Sequence, residues 1–262
     1  MAGTSERFGG RTVVVTGGAG GIGHAVAAGF AAEGATVAVA DTNADAVAAT
    51  VEQLTEIRES AKAQGFVVDV RNATAVRQLM SEVNAAFGGP HLLITLAGGS
   101  LGTPRDLANV APDDIDLVLD VNVRGTLLCC QATLPYMVDA GGGAIVTVSS
   151  IGGRQPSPVT GVPYATAKAA VLGLTRRLAH EFGGQRIRVN AIAPGLVLTD
   201  RLAGMVDAMD PAERQSVLDA IPLRRLPELG EIVEPILFLA SDAASYITGV
   251  VLDVNGGRFM PP

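Results

Sequence analysis

The 262-residue sequence predicts an α/β protein: one domain over residues 1–262, built as a doubly wound parallel sheet with helices on both faces. Three observations predict it. Short runs of Val, Ile, Leu and Ala alternate along the whole chain with longer stretches whose apolar residues recur at the helical period. The short runs are continuously apolar rather than alternating, as strands covered on both faces are. No linker, composition shift or internal repeat divides the chain.

The elements follow in order. "RTVVVTGGAGGIG" is a buried strand turning sharply into a helix, with Ile22, Ala25, Val26, Gly29 and Phe30 on one helical face and Gly34 at its end. "ATVAVAD" is a second strand, and Val47, Val51 and Leu54 mark the next helix. "GFVVDV" reads as the third strand, followed by the apolar stripe Val76, Leu79, Met80, Val83 and Phe87. "HLLITLAGG" is the fourth strand, a long helix runs from about Pro112 to Val138, and "AIVTVSS" is the fifth strand. A helix from about Tyr164 to Phe182 precedes "RIRVNAIAPG", the sixth strand. "GEIVEPILFLAS" is a further helix and "GVVLDVNGG" the final strand.

Composition narrows the function classes. Hydrophobic residues make up 48% and charged residues 17%, enough apolar surface for a large core and too much for a disordered chain. The net charge of −7 and the lack of a basic patch argue against nucleic acid as a partner. Cys129 and Cys130, adjacent in an apolar run, read as small buried side chains rather than as a disulfide or metal site. "MAGTSERFGGR" lacks an apolar leader, and no uninterrupted apolar span reads as long enough to cross a bilayer. A cytoplasmic protein without membrane contact is expected. His24, His91 and His180 have no metal-ligating spacing, and the Arg224–Arg225 pair reads as solvated.

"TGGAGGIG", Thr16 to Gly23, closes the first strand and opens the first helix. Glycines 17, 21 and 23 let the backbone turn and approach a ligand closely. The helix N-terminus offers unpaired N–H groups and a positive dipole end to a pyrophosphate. This is the phosphate loop of a Rossmann-like fold, spaced T-G-x-x-x-G-x-G rather than G-x-G-x-x-G. Asp41 ends the second strand, where a carboxylate accepts from the ribose diol of adenosine and repels a 2′-phosphate; the competing reading is a helix cap near Asn43. Asp69, with Val70 beside it, sits at the end of the third strand facing an adenine; a cap before Ala73 is its alternative.

"YATAK" puts Tyr164 and Lys168 at i and i+4 on one helical face, in a chain whose lysines are Lys62 and Lys168. "VTVSS" ends the fifth strand at Ser149 and Ser150, and "DVNVRGT" holds Asn122. T-G-x-x-x-G-x-G, Asn, Ser, Tyr-x-x-x-Lys and Pro-Gly in this order resemble the short-chain dehydrogenase/reductase family over nearly the whole chain. The resemblance implies Tyr164 as general acid/base, Lys168 as the group that lowers its pKa and holds the nicotinamide ribose, and Ser150 as the hydroxyl on the substrate oxygen. Asn122 matches the family's Asn that organises a proton-relay water. The cofactor contacts implied are Gly17, Gly21, Ile22, Gly23, Asp41, Asp69, Val70, Ala97, Gly98, Tyr164, Lys168, Pro194, Val197 and Thr199. NAD is the expected cofactor, and a homotetramer the expected assembly.

The chemistry stands without the resemblance. Hydride leaves a carbinol carbon only if the hydroxyl proton is removed as well. A free phenol titrates near ~10, and an ammonium one turn away favours its ionised form. The expected reaction is hydride transfer between NAD(H) and a secondary alcohol or ketone. The alternatives are an NADPH-dependent reductase of 3-oxoacyl thioesters, which a basic residue in positions 17–23 would have favoured, and a non-catalytic binding protein of the same fold. The family's usual Asn-Asn-Ala-Gly at the end of the fourth strand is here "TLAG", Thr95 to Gly98, and Thr95 is expected to keep only part of the lost bonding. Residues of about 199–222, with Leu202, Met205, Val206, Met209, Val217 and Leu218, are expected to form an apolar substrate lid. The loop holding Pro156, Pro158 and Pro163 is expected to wall the pocket.

Overall fold

Thr12–Thr16, strand β1, is buried along its whole length, as a parallel strand with helices on both faces must be. It lies inside a sheet completed by β2 (Thr36–Asp41), β3 (Lys62–Val67), β4 (Leu92–Thr95), β5 (Gly143–Val148), β6 (Ile187–Pro194) and β7 (Val251–Val254). The computed structural model describes residues 6–58, 60–157, 159–199 and 210–261. The strand order is β3-β2-β1-β4-β5-β6-β7, with every pairing parallel. The order reverses between β1 and β4, and ligands of such sheets bind outside the carboxyl ends of the strands at that point.

The helices are α1 (Gly21–Ala32), α2 (Ala44–Glu56), α3 (Ala73–Phe87), α4 (Pro112–Leu119), α5 (Gly125–Asp139), α6 (Val162–Phe182), α7 (Pro211–Asp219) and α8 (Gly230–Ala240). One core face gathers Phe8, Val26, Phe30, Leu54, Ile232 and Ile236 against Val13, Val15 and Val37 of the sheet. The other gathers Leu79, Met80, Cys130, Leu134 and Met137 against Val14, Leu93 and Ile145. Arg188 closes the C-terminal end of α8 by donating to the carbonyls of Leu239, Ala240 and Ser241, a cation on the negative end of a helix.

Several expectations shift. β3 is Lys62–Val67, not the apolar "GFVVDV". It is an edge strand, so its burial alternates and the apolar pattern does not mark it; Val68 and Val70 run past its end toward the cleft. The buried face of α1 is Gly23, Val26, Ala27, Phe30 and Ala31, about one residue on from the stripe read in the sequence. The helix turns this way because Gly23 packs on the Gly17 carbonyl: a Cβ there would lie 1.9 Å from Gly17 O. The long helix is interrupted by a π turn, Asp120–Arg124. The run Pro112–Asp139 is, by length and composition, apolar enough to cross a membrane, contrary to the sequence reading. Here Cys129, Cys130 and Met137 instead pack it into the second core face. Burial pushes the Cys129 thiol up to about 12 and Cys130 higher still, so both are inert packing groups.

Thr16, Thr95 and Thr147 form one row across β1, β4 and β5. Thr147 Oγ1 pairs with Thr175 Oγ1 at 2.6 Å, whereas Thr95 Oγ1 is buried without a partner. The expected partial bonding by Thr95 is therefore absent: its hydroxyl is too short to bridge, and the backbone ladder holds these strands. Leu202, Met205, Val206 and Met209 lie outside the described residues. The described part of the expected lid, α7, is seated by Val217 in a small cluster with Leu196, Val159 and Leu226.

Candidate active site

The carboxyl ends of β1 to β6 open into a cleft of about 590 Å³. At its floor Gly17 has φ +68°, and a Cβ there would lie 2.6 Å from Ala97 N. Gly21 faces Thr199 closely enough that a Cβ would lie 3.1 Å from its side chain. Only glycine lets the loop thread between β1, β4 and the segment after β6. The first turn of α1 has no acidic residue and no side-chain cap, so its N–H groups and dipole end face the cleft unneutralised. This cradle fits a dinucleotide pyrophosphate.

Asp41 lies beside the loop. Its Oδ2 accepts from Ala19 N at 3.3 Å and its Oδ1 from Thr42 N at 2.7 Å. The cap of α2 is Asn43, which accepts from Ala46 N, so Asp41 is left at the cleft wall. Likewise Asn72, not Asp69, caps α3. Asp69 is instead forked by Arg71, whose Nη2 donates to Oδ2 at 2.6 Å and whose Nε donates to Oδ2 at 2.9 Å. That guanidinium holds the Asp69 carboxyl below its ordinary range. Arg71 also lines the cleft and was not singled out in the sequence; its position two residues after Asp69 was the available signal.

On the far wall, α6 carries Tyr164 and Lys168. Lys168 is buried, and its Nζ donates to Val148 O at 2.9 Å. The same ammonium lies 5.7 Å from the centroid of the Tyr164 ring. Ser149 is spent on structure, donating to Lys168 O at 2.7 Å. Ser150 is half-buried and faces the cleft, its Oγ accepting from Gly152 N at 3.1 Å. Ser149 is thus committed to the main chain of α6, while Ser150, the serine expected on the substrate oxygen, lines the cleft.

Asn122 does not line the cleft. It is fully buried in the π turn, where Oδ1 accepts from Gly99 N at 3.0 Å and Nδ2 donates to Gly99 O and Val118 O, both at 2.9 Å. Gly98, at φ +148°, passes so close that a Cβ would lie 2.3 Å from Asn122 Oδ1. The side chain therefore clamps the loop after β4. All the cofactor-contact positions expected from the sequence line the cleft, joined by Leu96 of the "TLAG" departure. No described residue of the loop with Pro156 and Pro163 lines it. Pro158 lies outside the described residues. Pro163 is buried in the first turn of α6 instead. His24 faces Thr50 on α2 rather than the cleft, and Arg224 and Arg225 pair with Asp219 and Glu231. No cluster of metal-ligating side chains occurs among the described residues.

Comparison with known proteins agrees with this geometry. The family model described as enoyl-(acyl carrier protein) reductase matches residues 17–258. A short-chain type dehydrogenase/reductase of Sinorhizobium fredii is 38% identical over 254 residues, covering 96% of this chain and 98% of the relative. A 3alpha-hydroxysteroid dehydrogenase of Mediterraneibacter gnavus is 37% identical over 246 residues, 94% of this chain and 96% of the relative. Among solved structures, a 3-oxoacyl-[acyl-carrier protein] reductase with bound NAD from Brucella melitensis superposes with a TM-score of 0.88 at 33% identity, covering 98% of this chain and 94% of that one. With the glycine cradle, the Tyr164–Lys168 helix and whole-chain relatives all in agreement, this chain belongs to the short-chain dehydrogenase/reductase family of oxidoreductases.

Proposed function

We propose that this protein transfers a hydride between NAD(H) and a secondary alcohol or its ketone, with Tyr164 as general acid/base. The observation that carries the reading is the meeting of Ser150, Tyr164 and Lys168 on the wall of a cleft floored by an uncapped helix N-terminus. Bound there, the nicotinamide supplies the hydride acceptor or donor. The chain supplies the rest. Gly17, Gly21, Ile22 and Gly23 would hold the pyrophosphate, Asp41 the adenosine ribose, and Asp69 and Val70 the adenine; all line the cleft. Ala97, Gly98, Pro194, Val197 and Thr199, which also line the cleft, would border the nicotinamide end.

Ser150 Oγ donates to the substrate oxygen and orients it toward Tyr164. As the carbinol C–H bond breaks, the hydroxyl proton passes to Tyr164 Oη. The buried Lys168 charge favours the phenolate that accepts it. Lys168 itself is held in place by Val148 O. Asn122, committed to Gly99 and Val118, fixes the loop after β4 that borders the cleft. Leu96 and Leu101 make the nearby walls apolar, which suits a substrate with an apolar body.

Asp41 favours NAD over NADP, because its carboxylate would face a 2′-phosphate. The Brucella relative with bound NAD supports a second reading, reduction of a 3-oxoacyl thioester, with the same residues in the same roles. A panel of secondary alcohols, ketones and 3-oxoacyl thioesters, followed by nicotinamide absorbance with NAD(H) and NADP(H), separates the two. Turnover of none of them would count against both and for a binding protein. The exposed face of α6 carries Thr166, Ala169, Ala170 and Gly173, small residues that let a second α6 approach closely, consistent with a homotetramer. Light scattering that shows only monomer would refute that assembly.

A further inference from the structure

The turn after Ser150 is tied to the far end of the chain. Ser150 caps the short 3-10 turn Ile151–Gly153, and its Oγ accepts from Gly152 N at 3.1 Å. That bond takes one lone pair of the hydroxyl and limits where its proton can point. The turn ends at Arg154, whose N–H donates to Ile151 O at 2.9 Å. The Arg154 side chain reaches β7, where Nε donates to Asp253 Oδ1 at 3.2 Å and Nη2 to Oδ2 at 2.9 Å. These side chains are only 17% and 11% exposed. The guanidinium also lies 4.8 Å over the ring of Phe259. Gln155 Nε2 adds a bond to Arg258 O at 3.3 Å. On its other side the turn presses on α6: a Cβ at Gly153 would lie 2.6 Å from the carbonyl carbon of Lys168.

We propose that Arg154 is a positioning residue for Ser150: its fork onto Asp253, backed by Phe259, holds the 151–154 turn in the conformation that aims Ser150 Oγ into the cleft. The inference rests on the dehydrogenase reading of the cleft. An exposed ion pair would do little, but this one is bidentate, mostly screened from water and stacked on an aromatic face. The chain of bonds runs without a gap from Asp253 through Arg154 and the turn to Gly152 N–H and Ser150 Oγ. A lysine at 154 offers a point charge and no planar fork, so it does not replace the arginine.

The test is a set of variants assayed on one established substrate of the intact enzyme. Arg154→Met and Arg154→Lys are each expected to lower kcat by about tenfold or more, since small misplacements of a reacting group cost that much. The Kd for NADH, read by fluorescence titration, should stay within about twofold, because neither Arg154 nor Asp253 lines the cleft. The deciding measurement is made in a Ser150→Ala background, where Arg154→Met should cause no further loss. An unchanged kcat in Arg154→Met, or the same fractional loss repeated in Ser150→Ala, overturns the inference. If Arg154→Met does not fold, Phe259→Leu removes only the stacking partner and should give a smaller loss that again vanishes with Ser150→Ala; no loss from it also overturns the inference. Tyr164→Phe in the same assay separates the levels. If Tyr164→Phe abolishes turnover while the Arg154 variants are unaffected, only the positioning role falls. If Tyr164→Phe turns over normally, the reading of the cleft falls and the positioning role with it.

Discussion

The ammonium of Lys168 stands 5.7 Å from the ring centroid of Tyr164, one helical turn away, and is buried against the carbonyl of Val148. Charge and phenol are therefore held on one rigid element. Tyr164→Phe should bind NADH nearly as well as the parent, because ring and packing survive, yet lose about 10²–10⁴-fold in kcat. Lys168→Met should lose turnover and cofactor affinity together, since it removes the charge beside Tyr164 and the group proposed to hold the nicotinamide ribose. Steady-state rates and NADH titration check both. Near-parental turnover in Tyr164→Phe would send the proton through another group.

Asp41 is the second test. The kcat/KM for NAD should exceed that for NADP by about tenfold or more, the scale of one close like-charge contact near a surface. Asp41→Ala should narrow the ratio, chiefly by raising kcat/KM with NADP. Equal efficiencies in the parent enzyme would remove Asp41 from the ribose.

Gly23→Ala probes the cradle. Its Cβ would lie 1.9 Å from Gly17 O, a backbone atom, so loop and helix must separate. The KM for NAD should rise about tenfold or more, as expected when a positioned backbone moves by an ångström. Gly230→Ala, where a Cβ meets nothing within 4 Å, is the control and should leave kinetics alone. Similar behaviour of the two variants would show that the cofactor does not use this loop.

His91 predicts a pH dependence of stability. Its Nδ1 accepts from Thr12 N at 3.0 Å, which requires an unprotonated nitrogen. Burial, then the nearby Arg11, lowers its pKa from the ordinary 6.5. The unfolded chain thus takes up the proton first as pH falls. The contribution is complete above pH 6.5 and is lost as pH drops toward the lowered folded value. Between pH 7.5 and 5 the Tm of the parent should fall more than that of His91→Gln. Parallel Tm curves would show that this ring does not titrate in the range.

Features that depend on near neighbours along the chain were legible in advance. Continuous apolar runs identify strands buried on both faces, so the strand-and-helix alternation could be read. The glycine loop lies within eight consecutive residues, and Tyr164 and Lys168 within one helical turn, so both features could be read directly. Their order along the chain carried the family. Packing between distant segments settled the rest. It made β3 an edge strand whose pattern the sequence misplaced, and it opened the π turn that turns Asn122 onto Gly99. It spent Ser149 on Lys168 O and left Ser150 for the cleft. It left Thr95 Oγ1 without a partner and joined Arg154 to Asp253 across 99 residues. Backbone hydrogen bonds and helical period act over a few residues. Register, burial and the meeting of remote side chains follow only once the whole sheet has assembled.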